Sequence, residues 1–167
     1  KLLEYHISKR ADITVVCKDM NDQERNIRFG NIRMDEESRI TEFEEKPMIA
    51  RSQTISCGIY VIRRRHLIDL LESCMEEDRY DFVRDVLVRY KDFKKIYGYK
   101  INTYWKNIAS VEDYRDANMD FLKPEVRKHF FHDSPDIYSK VDDLPPAKYN
   151  VGSDVQNSLV ASGTIVN

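Results

Sequence analysis

Apolar positions along this chain recur in two rhythms, one belonging to helices and the other to strands. Leu2, Leu3, Glu4, Tyr5, His6 and Ile7 read as a helix already under way where the sequence opens. Ile13 to Cys17 is a short β-branched run, the pattern of a buried parallel strand. Two alternating stretches, Asn26 to Met34 and Arg39 to Glu44, flank Asp35-Glu36-Glu37-Ser38 and predict a hairpin with a longer loop. Thr54 to Arg63 is the plainest strand, and Gly58 within it points to close approach of backbone or ligand. Leu67, Leu70, Leu71 and Cys74 or Met75 form an apolar stripe at helical spacing. Phe82, Val86, Leu87 and Tyr90 form a second, and another strand is expected before the last helix. Ser110-Val111-Glu112-Asp113 is close to a capping box, with Asp in place of Glu. The helix it starts is expected to run to about Phe121, with Pro124 just beyond its end.

Strands and helices alternating in this way predict an α/β domain with a mostly parallel sheet, here over residues 1–122. Over residues 123–148 the periodicity lapses, and Pro135, Pro145 and Pro146 mark a linker. In residues 149–167, Val155 to Val166 gathers apolar residues into small β-like clusters separated by small residues and Gly. Hexapeptide β-helices carry such clusters, although one coil is too short to establish a period.

Composition narrows the partners. The 167 residues suffice for one ordinary domain with a real core. A net charge of -2, with acids and bases interspersed, leaves no nucleic-acid footprint. No apolar run approaches the ~20 residues of a membrane span, and no signal peptide is visible. Cys17, Cys57 and Cys74 are odd in number and widely spaced, which fits neither a disulfide framework nor a zinc site. Cys17 and Cys57 read as core thiols of a cytoplasmic protein. His129 and His132 have no acid or cysteine nearby and do not read as a metal site. The sequence opens on Lys1 inside a helical pattern and stops at Val166-Asn167 inside a β pattern, so a piece of a longer protein is expected.

Several segments, in order, carry a family resemblance. They are Leu3-Glu4-Tyr5-His6, Phe29-Gly30, Arg39 through Phe43-Glu44-Glu45-Lys46-Pro47, and Ser56-Cys57-Gly58-Ile59-Tyr60-Val61. Tyr80-Asp81-Phe82, Trp105-Lys106-Asn107-Ile108-Ala109-Ser110, Leu144-Pro145-Pro146-Ala147-Lys148 and Asn157-Ser158-Leu159-Val160 follow. Together they resemble the sugar-phosphate half of bacterial glucose-1-phosphate adenylyltransferases, which form ADP-glucose for glycogen. The resemblance implies the C-terminal half of a Rossmann-like nucleotidyltransferase domain, followed by the first coil of a left-handed parallel β-helix. It also implies that the glycine-rich nucleotide loop and one metal-binding aspartate lie upstream of Lys1.

The resemblance assigns a substrate site to Glu45, Lys46, Ser56, Asp81 and Gly30, for glucose 1-phosphate or ADP-glucose. Lysine suits phosphate as a compact point charge, and Pro47 is expected to hold the Lys46 backbone extended. The family's lysine here holds the phosphate, and the acid before it, Glu45, accepts from sugar hydroxyls. On residue grounds alone, Glu42, Glu44, Glu45 and Lys46 read rather as a solvated charged run on a strand edge. Ser56 can donate to a phosphate or sugar oxygen, or be a small residue in a packed strand; Gly30 can admit the ligand or serve strand geometry. Asp81 precedes a helix and reads either as its N-cap or as a contact to glucose hydroxyls. Arg84 stands where the family has lysine.

The pattern fails at Lys106-Asn107, where the family's Trp-Arg-Asp-Val-Gly-Thr places a magnesium-binding aspartate. Magnesium sites rely on one or two carboxylates plus substrate phosphates, and Asn107 brings no charge. The expectation is therefore no catalytic residue of its own, weak or absent Mg2+ binding, and a regulatory subunit working beside a catalytic paralogous subunit, in a tetramer. The alternatives are an active adenylyltransferase and a structural assembly subunit that binds no sugar phosphate.

Overall fold

The computed structural model describes residues 1–20, 26–133, 138, 140 and 142–167. It divides into two compact units, Lys1–Thr103 and Tyr104–Asn167. Six positions of the expected linker, Pro135 among them, lie outside the described residues.

The first unit is built on a five-stranded sheet. In chain order its elements are α1 (Leu2–Ser8), β1 (Ile13–Asp19), β2 (Asn31–Met34), β3 (Ile40–Glu44), β4 (Thr54–Ile62), α2 (Arg64–Glu76), a π-helix (Phe82–Val88) and β5 (Ile96–Lys100). The strand order is β3-β2-β4-β1-β5. Of these, β1 pairs parallel only with β5, while β1 with β4, β2 with β3 and β2 with β4 are antiparallel. The expected mostly parallel sheet is thus corrected to a mixed one with more antiparallel pairs. Alternation shows that a strand is present but says nothing of its direction, and β2 to β4 follow one another without a helical crossover.

The β-branched run Ile13–Cys17 is the buried centre, with Ile13, Val15 and Cys17 at 0% exposure. They pack with Ile32, Ile40, Phe43, Leu70, Cys74, Val86, Leu87 and Ile96. On the other side of β1, buried His6 of α1 bonds through Nδ1 to the Thr14 hydroxyl at 2.8 Å. The β2–β3 hairpin is as expected, its loop held by the Asp35 carboxylate, which accepts from the Glu37 and Arg39 amides at 3.0 and 2.8 Å. Strand β2 begins at Asn31 rather than Asn26. Asn26 is fully buried, and its side-chain amide donates to the Met20 carbonyl at 3.1 Å, so it ties loops together instead of extending the ladder. The hairpin tip reaches β5: Arg39 bridges Tyr97, and the Gly98 amide donates to the Ser38 carbonyl at 2.9 Å.

Two local readings change. Phe82–Val88 is a π-helix, a distinction that apolar spacing cannot make. Lys46 has φ 45°, in the left-handed region, and not the extended backbone expected before Pro47.

In the second unit, α3 (Val111–Asp120) starts at the predicted cap, the Ser110 hydroxyl accepting from the Asp113 amide at 3.1 Å. A short α4 (Pro124–Lys128) and a π-turn (His129–Asp133) follow, inside the stretch expected to be irregular. Pro124 occupies the first turn of α4, where its missing N–H costs nothing. Phe121 and Phe130 pack with ring centroids 5.1 Å apart. β6 (Lys148–Tyr149) pairs parallel with β7 (Ile165–Val166). The rest of the expected β clusters from Val155 carries no regular structure.

Candidate functional site

The candidate residues of the first unit gather where β3 ends, β4 begins and the π-helix starts. Gly30 leads into β2, its carbonyl accepting from the Ser56 amide at 2.8 Å. A Cβ on Gly30 would stand 2.7 Å from the Phe43 ring and 3.1 Å from Glu45 Oε2. Bare glycine is therefore what lets the Glu45 carboxylate lie against this backbone. The Glu45 side chain is only 17% exposed, with Lys46 Nζ 3.9 Å from its Oε1. Burial pushes the Glu45 carboxyl above its ordinary range, Lys46 and Arg84 pull it down, and the charge of Asp81 pushes it up. Those influences put Glu45, Lys46, Asp81 and Arg84 within one electrostatic neighbourhood.

Ser56 belongs to the same group. Around it β4 is bulged against β1, the pairs Cys17–Ser56 and Val15–Tyr60 leaving extra chain in β4 between them. Gly58 sits in that bulge at φ 70°, a conformation that favours glycine. The space before it is open: a Cβ there would meet nothing within 4 Å. The Gly58 amide donates to the Ser56 hydroxyl at 3.2 Å, and the Ser56 hydroxyl in turn pairs with the Tyr60 phenol.

The sequence reading missed Tyr60. Its phenol is half-buried, and burial raises its pKa; a hydrogen bond with Ser56 lowers it, and the charges of Glu45, Cys17 and Asp81 raise it. Its ring packs on Phe82, centroids 5.3 Å apart. A signal was available, because Ser56, Gly58 and Tyr60 fall on alternate strand positions. A tyrosine in a strand reads first as packing, however.

Asp81 is the N-cap of the π-helix, its Oδ1 accepting from the Arg84 amide at 3.0 Å. Its Oδ2 lies 4.0 Å from Arg84 Nε. One oxygen is thus occupied by the backbone, and among the described residues the other faces only the more distant Arg84 cation. Asp85 anchors the turn, its Oδ2 accepting from the Asp81 amide at 3.0 Å. Five residues named from sequence (Gly30, Glu45, Lys46, Ser56 and Asp81) therefore come together with Tyr60 and Arg84. The arrangement offers two carboxylates and two hydroxyls, the groups that bind a polyol, beside two cations, the groups that bind an anion.

Asn107 lies in the second unit and is exposed. Its neighbour Lys106 is engaged structurally, Nζ donating to Asp120 Oδ2 at 2.9 Å. The Tyr104 hydroxyl and Lys123 also donate to Asp120, at 3.0 and 2.7 Å. Burial pushes the Asp120 carboxyl up, but these three donors outweigh it and hold it at about 2. Burial and the adjoining Asp120 push the Tyr104 phenol up to about 12. This carboxylate is thus fully spent within the protein. Among the described residues no group of three or more His, Cys, Asp or Glu converges as metal ligands. Asn107 offers an exposed amide oxygen, whereas magnesium sites use carboxylates together with phosphates. Among the described residues, no helix is long and apolar enough to cross a membrane.

The chain is similar in sequence to known proteins. The chain is 34% identical over 169 residues to a glucose-1-phosphate adenylyltransferase of Clostridium acetobutylicum, covering 99% of this chain and 44% of that protein. It is 33% identical over 169 residues to the protein of the same name from Bacillus subtilis, with the same coverage of each chain. It is 32% identical over 165 residues to the one from Thermosipho melanesiensis, covering 98% of this chain and 40% of that protein. The chain thus spans well under half the length of these relatives. A family model described as nucleotidyl transferase matches residues 1–124, most of the sequence, and the chain belongs to that family.

Proposed function

We propose that this chain is the sugar-phosphate-binding part of a glucose-1-phosphate adenylyltransferase-type protein of glycogen synthesis, of the kind that joins ATP and glucose 1-phosphate into ADP-glucose and pyrophosphate. The observation that carries this reading is the gathering of Glu45 and Lys46 with Ser56, Asp81 and Gly30. Lys46 meets the phosphate, while Glu45, Ser56 and the free oxygen of Asp81 meet sugar hydroxyls. Left-handed backbone at a non-glycine residue before proline is strained, and such strain persists where surrounding structure and function demand it. At Lys46 it supports a ligand role over a merely solvated charge.

The protein's role is regulatory: with Asn107 in place of an acid, it catalyses weakly or not at all, binds Mg2+ poorly, and assists a catalytic paralogous subunit in a cytoplasmic tetramer. The parallel β6–β7 pair is the first turn of a left-handed β-helix. The name that the relatives share, glucose-1-phosphate adenylyltransferase, favours a second reading, an active enzyme. Two measurements separate these, binding on this chain and turnover on the longer protein that also carries the nucleotide loop. Glucose 1-phosphate should bind, and Lys46→Ala should weaken it by at least about tenfold; absence of binding rejects the proposal. Pyrophosphate release should be slight, and Asn107→Asp should raise it by on the order of 10² where the nucleotide site is complete. Robust turnover by the unmutated protein would establish the second reading instead.

A further inference from the structure

Lys46 is the single cation that the resemblance assigns to the phosphate, yet Arg84 enters the same group of side chains from a different element. Lys46 follows β3, whereas Arg84 sits on the first turn of the π-helix, three residues after Asp81. Each cation faces a carboxylate at a distance too long for a hydrogen bond, 3.9 Å for Lys46 to Glu45 and 4.0 Å for Arg84 to Asp81. Among the described residues neither side chain makes a closer polar contact. Both are largely exposed, at 67% and 70%, so their donors are spent only on solvent. The two carboxylates are less free: Glu45 is mostly buried and Asp81 caps a helix. Two anions alone would repel a phosphate, and a single lysine would leave the group with net negative charge. Arg84 balances it.

We infer that Arg84 is a second phosphate-recognising residue of this site, gripping the phosphate of a sugar monophosphate opposite Lys46. The inference rests on the sugar-phosphate reading above. Arginine's planar fork suits two oxygens of one phosphate, whereas lysine supplies a point charge, so the pair together fix both position and orientation. The π-helix makes this geometry available, because its cap bond uses the Arg84 amide and leaves the guanidinium to reach outward. A site of this kind discriminates by charge: it should favour the phosphorylated sugar over the neutral one and lose that preference in salt.

Titration calorimetry of the full chain with glucose 1-phosphate, glucose and inorganic phosphate tests this. Arg84→Ala keeps the backbone amide and hence the cap, and circular dichroism checks that the fold persists. It should weaken glucose 1-phosphate and phosphate by about tenfold while leaving glucose unchanged. Arg84→Lys should recover only part of the loss, because charge returns without the fork. Equal weakening of glucose and glucose 1-phosphate would overturn the inference and show that Arg84 acts through the fold. Unchanged glucose 1-phosphate binding in Arg84→Ala, with loss in Lys46→Ala, would overturn it while the sugar-phosphate reading stands. Failure of the unmutated chain to bind glucose 1-phosphate would overturn both.

Discussion

Gly30 and Lys46 show how narrowly single residues shape this site. A methyl group on Gly30 would press on the Phe43 ring and on the Glu45 carboxylate. Overpacking of this kind typically costs 1–3 kcal/mol. Gly30→Ala should therefore lower the thermal midpoint and also displace Glu45, weakening sugar binding more than phosphate binding; a melt and a calorimetric titration read the two effects apart. An unchanged midpoint would mean that Phe43 yields freely. The residue types at Glu45 and Lys46 were legible as a motif, but the left-handed backbone of Lys46 was not. Proline argues against that conformation, and only the tertiary setting overrides it. Tyr60 escaped for a different reason: its partners Ser56, Glu45 and Asp81 meet it only through the bulge in β4 and the fold of the π-helix.

Among the elements, α3 is held in a way that pH should reveal. Asp120 near its end receives Tyr104, Lys106 and Lys123, and its folded pKa of about 2 lies below the ordinary carboxyl value of 3.8. A depressed carboxyl stabilises the folded state above its unfolded pKa, and that contribution fades as pH falls toward the folded value. The difference in unfolding midpoint between the natural chain and Asp120→Asn should accordingly be full at pH 6 and shrink between about pH 4 and pH 2. A difference that stays constant across this window would show that ionisation of Asp120 does not supply the stability. Elements built from β-branched runs, such as β1, were plain in the sequence because a strand buried along Ile13–Cys17 takes an unbroken run of such residues. The direction of β4 and the pitch of the π-helix were not, since side-chain spacing constrains neither.

For the whole molecule, burial is divided unequally. The apolar cluster lies entirely within Lys1–Thr103, whereas the buried side chains of Tyr104–Asn167 are Ala117 and Val126 among the described residues. Local stability follows buried apolar contact. In native-state hydrogen exchange the amides of β1 and β4 should be the slowest, and those of the second unit should exchange well before them. Equal protection in both units would contradict this division.

The position of β1 has a consequence for how the protein is made. Both sheet neighbours of this strand follow it far along the chain; Asp12, just before it, meets Lys95 across 83 residues of sequence. Until β4 and then β5 emerge, the most apolar strand of the chain has two unpaired edges. Nascent chains in that condition are open to wrong pairing and aggregation. The growing chain thus depends on chaperone cover, or on swift synthesis, from the moment Ile13–Cys17 appears until Ile96–Lys100 closes the second edge.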